Sequence, residues 1–313
     1  MDPVHVVTGA GPVGSTVAQQ LADAGEQVRL LTRSGSGPEH ALIDRRRVDV
    51  SRPDALEAAL DGAVAVHHCI HGSAYDVRAW RAELPQAERV VLEAAGRVGA
   101  VVVFPESLYS YGPVDGVMTE STPRTASTGK LGVRTELLAQ RDASPTPTVS
   151  VAASDFYGPL VRNAHAGERM VPTVLAGRTM RVVGSPDQPH SFTYVPDLAA
   201  AMVAAASRPD LWNSFLHAPT APAVTQRQLV AMVADAGGVR APKVSSIPVP
   251  VLSALGVVSR QVKEMAETGY MFTRPFVMDS TASEERLGLT PTPLADGLAR
   301  TVAWWRAARG TDG

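Results

Sequence analysis

Hydroxyl groups crowd one short stretch of this chain, Phe104-Pro105-Glu106-Ser107-Leu108-Tyr109-Ser110-Tyr111-Gly112. Ser107 can hydrogen-bond a carbonyl oxygen, and a phenol at Tyr109 or Tyr111 can donate a proton to it. The stretch leaves Ala100-Val101-Val102-Val103, an apolar run of the kind found in strands buried on both faces, so the hydroxyls are expected at a strand's carboxyl end. A second group, His67, His68, Cys69 and His71, has the composition of a metal site but not its spacing. Neighbouring strand residues point to opposite faces, and no further Cys or His pair is placed to complete a tetrahedron. No metal is expected; His68 is expected to line a cleft at the end of its strand.

Such groups act only if the chain positions them, and the positioning pattern starts near residue 5. His5 to Thr8 is a short strand, followed by Gly9-Ala10-Gly11-Pro12-Val13-Gly14 and a helix to about Ala24. The spacing G-x-G-x-x-G lets backbone approach a pyrophosphate and seats it on a helix N-terminus, so Gly9, Gly11, Pro12, Val13 and Gly14 are candidate dinucleotide contacts. Gln27 to Thr32 reads as the second strand. No carboxylate stands at its end to hold a ribose 2′-hydroxyl; Arg33 stands there instead and would pair with a 2′-phosphate, which favours NADP(H) over NAD(H). A third strand from about Ala41 to Val50 ends in Asp49 and Val50, two further candidate cofactor contacts, with Arg45-Arg46-Arg47 as a solvated edge. A fourth runs from Ala63 to Cys69, and a helix from Leu84 to Val98 precedes the strand that carries Ser107.

Composition narrows the partners. The chain has 313 residues, 29 basic and 31 acidic, for a net charge of −2. With no long run of one sign, nucleic acid and anionic membranes are not expected, and a small-molecule substrate is. A homodimer is left open. A single cysteine, no signal peptide and no apolar run near the roughly 18 residues that span a bilayer lead to the expectation of a cytoplasmic protein. The second half adds a strand at Met180 to Val183, a helix at Pro196 to Ala206, a strand at Phe215 to His217 and a capped helix from Thr225 to Ala236. Pro248 to Phe272, with Val251, Leu252, Leu255, Val258, Met265 and Met271, is expected to be core, as is the face Leu294, Leu298, Val302 and Trp305 of a last helix. The expected fold is α/β: a Rossmann-type doubly wound parallel sheet with a smaller C-terminal substrate-binding lobe. Residues 1–160 would form the nucleotide-binding core, and 161–313 would complete it at about 190–220 and build the lobe.

These motifs together resemble the extended short-chain dehydrogenase/reductases of the NAD-dependent epimerase/dehydratase family. That family carries a glycine motif after strand one, S-S-x-x-V-Y-G after strand five, Y-x-x-x-K on the next helix, then Y-G-P and a V-D-D-type motif. Ser107 falls where the catalytic serine precedes Tyr111-Gly112. Ser154-Asp155-Phe156-Tyr157-Gly158-Pro159 matches the Y-G-P segment beside the nicotinamide, and Phe192-Thr193-Tyr194-Val195-Pro196-Asp197 the later motif. The resemblance implies cofactor contacts at Asp155 and Tyr157 and a ribose-holding, catalytic lysine at Lys130. Two departures stand out. The glycine motif is one residue shorter than the family's usual form, and Ala126 occupies the place of the catalytic tyrosine four residues before Lys130. Without that general acid, the expected reaction is reduction of a carbonyl, imine or activated alkene at a non-standard centre. A nucleotide-sugar epimerase or dehydratase, and a non-catalytic NADP(H) sensor, are the alternatives.

Overall fold

The structure, a computed structural model, describes residues 3–255 and 259–310. Seven parallel strands form the central sheet: β1 (Val4–Thr8), β2 (Gln27–Thr32), β3 (Ile43–Arg47), β4 (Ala63–His68), β5 (Val101–Ser107), β6 (Thr148–Ala153) and β7 (Ser214–His217). Their order is 3-2-1-4-5-6-7. The order reverses between β1 and β4, and in such sheets the ligand crevice opens at the carboxyl ends beside that reversal. The helices are α1 (Pro12–Asp23), α2 (Pro53–Ala59), α3 (Val77–Val98), α4 (Gly129–Asp142), α5 (Val171–Leu175), α6 (Val195–Ala206), α7 (Gln226–Ala236), α8 (Val249–Leu255), α9 (Arg260–Glu267), α10 (Thr281–Leu287) and α11 (Leu294–Gly310). Among the described residues no helix is long and apolar enough to cross a membrane.

Alternation along the strands divides the core. Val7 and Val103 pack with Val17, Leu21, Leu198 and Met202 on one face, while Val6 and Val102 pack with Leu56, Val91 and Ala95 on the other. A separate cluster joins Tyr157 and Tyr194 to Leu229, Val233, Leu298 and Trp305, which ties α7 and α11 to the segment after β6.

Three expectations change. The third strand ends at Arg47 rather than Val50, because the Asp49 carboxylate accepts bonds from the Ser51 amide and hydroxyl (3.1 and 2.7 Å) and turns the chain out of the sheet. α3 begins at Val77, not Leu84: Asp76 caps it through the amides of Arg78 and Ala79, and Pro85 lies inside it. The stretch 248–272 is not a single core helix but α8, α9 and a 3₁₀ turn at Gly269–Phe272. Val251 is 48% exposed there and Met265 faces a cleft, whereas Met271 is buried in a core cluster with Leu108, Tyr111 and Phe276, as expected. The side chains of Leu252 and Leu255, and Val258 entirely, lie outside the described residues.

Candidate active site

A cleft of about 780 Å³ runs along the carboxyl edge of the sheet, from Gly11, Pro12 and Val13 at one end to Met265 and Phe272 at the other. At the first end Gly9 has φ +87°, a conformation that favours glycine. A Cβ on Gly14 would lie 2.0 Å from the Gly9 carbonyl oxygen, so α1 can start this close to β1 only with glycine there. Gly11 has open space around it and caps α1 without a side-chain bond. The result is a cradle in which unpaired first-turn amides and a bare backbone face the cleft, as an anionic pyrophosphate requires. Gly14→Ala is expected to cost about 1–3 kcal/mol of stability through overpacking and to weaken dinucleotide binding roughly tenfold or more, measured by calorimetric titration.

Arg33 is exposed just beyond β2, and its guanidinium makes no hydrogen bond or ion pair among the described residues. Asp49 is held below the usual carboxylate range by the Ser51 bonds first and by Arg33 and Arg52 after them. Val50 is buried under β2 and α2 in the core, so only its backbone remains available to a ligand. His68 lines the cleft, with Nδ1 2.9 Å from the Thr8 hydroxyl.

The hydroxyls divide. Ser107 is the last residue of β5, its amide bonded to Glu106 at 2.7 Å, and it lines the cleft with Tyr109. Tyr109 meets Tyr75 hydroxyl to hydroxyl at 2.8 Å. Burial, then Tyr75 and Asp155, push the Tyr109 phenol well above its ordinary pKa. Tyr111 is not brought to the cleft. It is fully buried, donates to the Thr119 carbonyl and pairs with His217, each at 2.8 Å. Tyr75, on the loop before α3, is the hydroxyl that sequence reasoning passed over; only a long-range contact brings it in.

Beneath Ser107 the cleft floor is a buried ion network. Arg141 of α4 makes two bonds to Glu88 of α3 (2.7 and 2.5 Å) and one to Glu106 (2.8 Å), and Arg134 binds the other Glu106 oxygen at 2.6 Å. Burial alone would raise Glu106, but the two guanidiniums outweigh it and hold the carboxyl below its usual value.

Lys130 does not line the cleft. Its side chain is completely buried, and Nζ lies 2.5 Å from both Glu264 and Glu267 of α9, with a further bond to the Glu264 carbonyl at 3.0 Å. The ammonium also sits 4.6 Å from the centre of the Tyr75 ring. Burial opposes its charge, but the two glutamates raise its pKa. The lysine thus clamps α9 to α4; Ala126 supplies no phenol, and the phenol beside the ammonium is instead that of Tyr75.

Past β6 the two further candidates also separate. Asp155 lines the cleft and lies 2.7 Å from His190 Nε2, whose Nδ1 faces the Met271 carbonyl at 3.1 Å. Burial would raise Asp155, but the His190 bond lowers it. Tyr157 is packed against Tyr194 in the second cluster, its hydroxyl buried without a partner among the described residues and pressed near Gly297, away from the cleft.

No curated protein matches this sequence. Solved structures do share the fold. UDP-glucuronic acid 4-epimerase of Bacillus cereus, solved with NAD, aligns with a TM-score of 0.77 at 18% identity over 97% of this chain and 99% of its own. UDP-glucose 4-epimerase of Thermotoga maritima, solved with UDP-glucose, gives 0.76 at 18% over 98% and 99%. MoeE5, solved with UDP-glucuronic acid and NAD, gives 0.74 at 25% over 98% and 100%. The sequence pattern of the NAD dependent epimerase/dehydratase family matches residues 5–214, from β1 through the start of β7. A switch-point cleft with a glycine cradle at one end and a strand-end serine beside it is what that match spans, and the chain belongs to the NAD-dependent epimerase/dehydratase family.

Proposed function

We propose that the protein binds a nicotinamide dinucleotide on the Gly9–Gly14 cradle and moves a hydride between it and an oxygen-bearing carbon of a nucleotide-sugar substrate. The observation that carries this reading is one continuous cleft with the cradle at one end and the Ser107, Tyr109 and Tyr75 hydroxyls along its wall. Bound there, the dinucleotide supplies or accepts the hydride. Ser107 and Tyr109 hold the reacting oxygen; with its pKa raised, Tyr109 keeps its proton at neutral pH and donates a hydrogen bond. Arg162 and Arg169, exposed on the cleft wall, offer positive charge to a diphosphate. The nucleotide-sugar enzymes among the similar structures support this class over the stand-alone reductase expected from the sequence. Ala126 and the clamped Lys130 favour the reductase as second reading, since a site without the usual base is better suited to donating to a carbonyl than to oxidising an alcohol.

The test is a substrate panel: UDP-glucose, UDP-glucuronic acid and dTDP-glucose with oxidised dinucleotide, against simple ketones and imines with the reduced form, followed by nicotinamide absorbance and sugar NMR. Epimerised or dehydrated sugar supports the first reading; consumption of reduced cofactor by ketones alone replaces it with the second. The preference for NADP(H), which rests on the unpaired Arg33, is tested by equilibrium titration with all four dinucleotides. Arg33→Ala is expected to weaken the NADP forms roughly 10- to 100-fold, the worth of a charge-assisted pair, and to leave the NAD forms unchanged. Equal binding of NAD and NADP by the unaltered protein would remove the preference.

A further inference from the structure

His165 lines the same cleft on the segment between β6 and α5, and the mechanism above gives it no role. Its Nε2 is hydrogen-bonded to Gln226 Oε1, and the Gln226 amide nitrogen donates to the carbonyls of Val183 and Ser185, both at 2.9 Å. Two carbonyl oxygens accept only from the NH₂ end, so the glutamine cannot turn over, and its oxygen must face the imidazole. An oxygen there accepts only from a protonated Nε2. The ring is therefore held as the Nε2–H tautomer, leaving Nδ1 with a free lone pair and no partner among the described residues. Phe272 packs against the ring at 4.6 Å between centroids and fixes its plane.

The surroundings leave the ring in the neutral form, the one that can accept a proton. Burial, the largest influence, lowers the His165 pKa to about 4, which keeps it neutral at neutral pH. Asp155 pulls in the opposite direction, and His190 and Arg169 oppose it. Asp155 is itself anchored by His190, whose ring nitrogens face that carboxylate and the Met271 carbonyl, so the carboxylate stays in place. A charge formed on His165 would meet that carboxylate.

Resting on the proposed hydride-transfer function, we propose that His165 is the general base of the cleft, held in its reactive tautomer by Gln226 as a positioning residue. The Nδ1 lone pair takes the proton of the substrate hydroxyl; the O–H electron pair becomes the second C–O bond, and the carbon's hydrogen leaves with its electron pair to the oxidised nicotinamide dinucleotide. In the reverse direction His165 returns the proton to the carbonyl oxygen. This supplies the acid–base function that Ala126 cannot, from a different segment of the chain and with a different side chain.

Two measurements test it. Nitrogen NMR of the histidine-labelled free protein at neutral pH, with His165 assigned by its loss in His165→Ala, is expected to show Nε2 protonated and Nδ1 bare. A protonated Nδ1 overturns the proposal whatever the substrate. In the turnover panel, His165→Ala is expected to lower the rate on an active hydroxyl substrate by roughly 100-fold or more, with dinucleotide affinity unchanged as the check on folding. Gln226→Leu is expected to mix the tautomers and lower the same rate. Turnover by His165→Ala within about threefold of the unaltered protein, itself active, overturns the proposal alone; an unaltered protein inactive on every hydroxyl substrate overturns the hydride-transfer reading beneath it.

Discussion

Arg141→Ala is expected to lower the unfolding free energy by about 3–5 kcal/mol, the usual cost of removing one partner from a buried ion pair. The two glutamates that share Arg141 are both almost without solvent, and after the change Glu88 would keep no cation while Glu106 would keep only Arg134. The guanidinium also stands over the Phe104 ring, 3.9 Å from its centre, in the floor of the cleft. Urea denaturation at neutral pH measures it. Replacing the pair together, Arg141→Met with Glu88→Leu, should recover a large part of the loss, since no carboxylate is then stranded on α3. A single-variant cost below about 1 kcal/mol would mean that the network is more solvated than its burial implies.

Acidification gives the second large effect. His67 and His68 are buried at the end of β4, and burial first, then His5 for His67 and the Arg141 and Arg134 guanidiniums for His68, lowers each from 6.5 to about 3. Between those values the unfolded chain binds a proton that the folded chain refuses, so stability falls as pH falls through this window and is level above it. From neutral pH to about pH 5, each histidine should cost about 2 kcal/mol. His165 acts in the same direction down to about 4. Denaturation midpoints across that range measure the slope, and His67→Phe should remove about 2 kcal/mol of it, at most a third of the total. Stability independent of pH from neutral to about 5 would show that these rings are reached by water.

The sheet was legible because its signals are local: apolar runs, glycine spacing and helix caps all lie within a few residues of what they determine. Ser107 was legible for the same reason, since a strand's end locates it. Tyr109 and Tyr111 could not be told apart by that rule. They lie on a 3₁₀ turn, Leu108–Tyr111, in which residues three apart share a face. Leu108 and Tyr111 therefore go into the core together and Tyr109 turns toward the cleft. What the sequence hid was long-range. Tyr75 reaches Tyr109 across 34 positions, Arg141 reaches Glu88 across 53, and Lys130 reaches α9 across 134. His165 gave no signal either, because its tautomer depends on a glutamine 61 residues away. Motif spacing speaks of ligands that a fold brings together by default, and each of these pairings departs from the default.

The clamp at Lys130 bears on how such a site can be inherited or rebuilt. Gly129 has φ +58°, a Cβ there would fall 1.6 Å from a Glu267 oxygen, and the same oxygen accepts the Lys130 amide at 3.0 Å. Gly129, Lys130, Glu264 and Glu267 are thus one unit, which descent should keep or lose together. Writing tyrosine back at position 126 would return the letters of the family's motif without its chemistry, because the ammonium is already held by two carboxylates. Restoration would have to begin on α9, far along the chain, by releasing the lysine first.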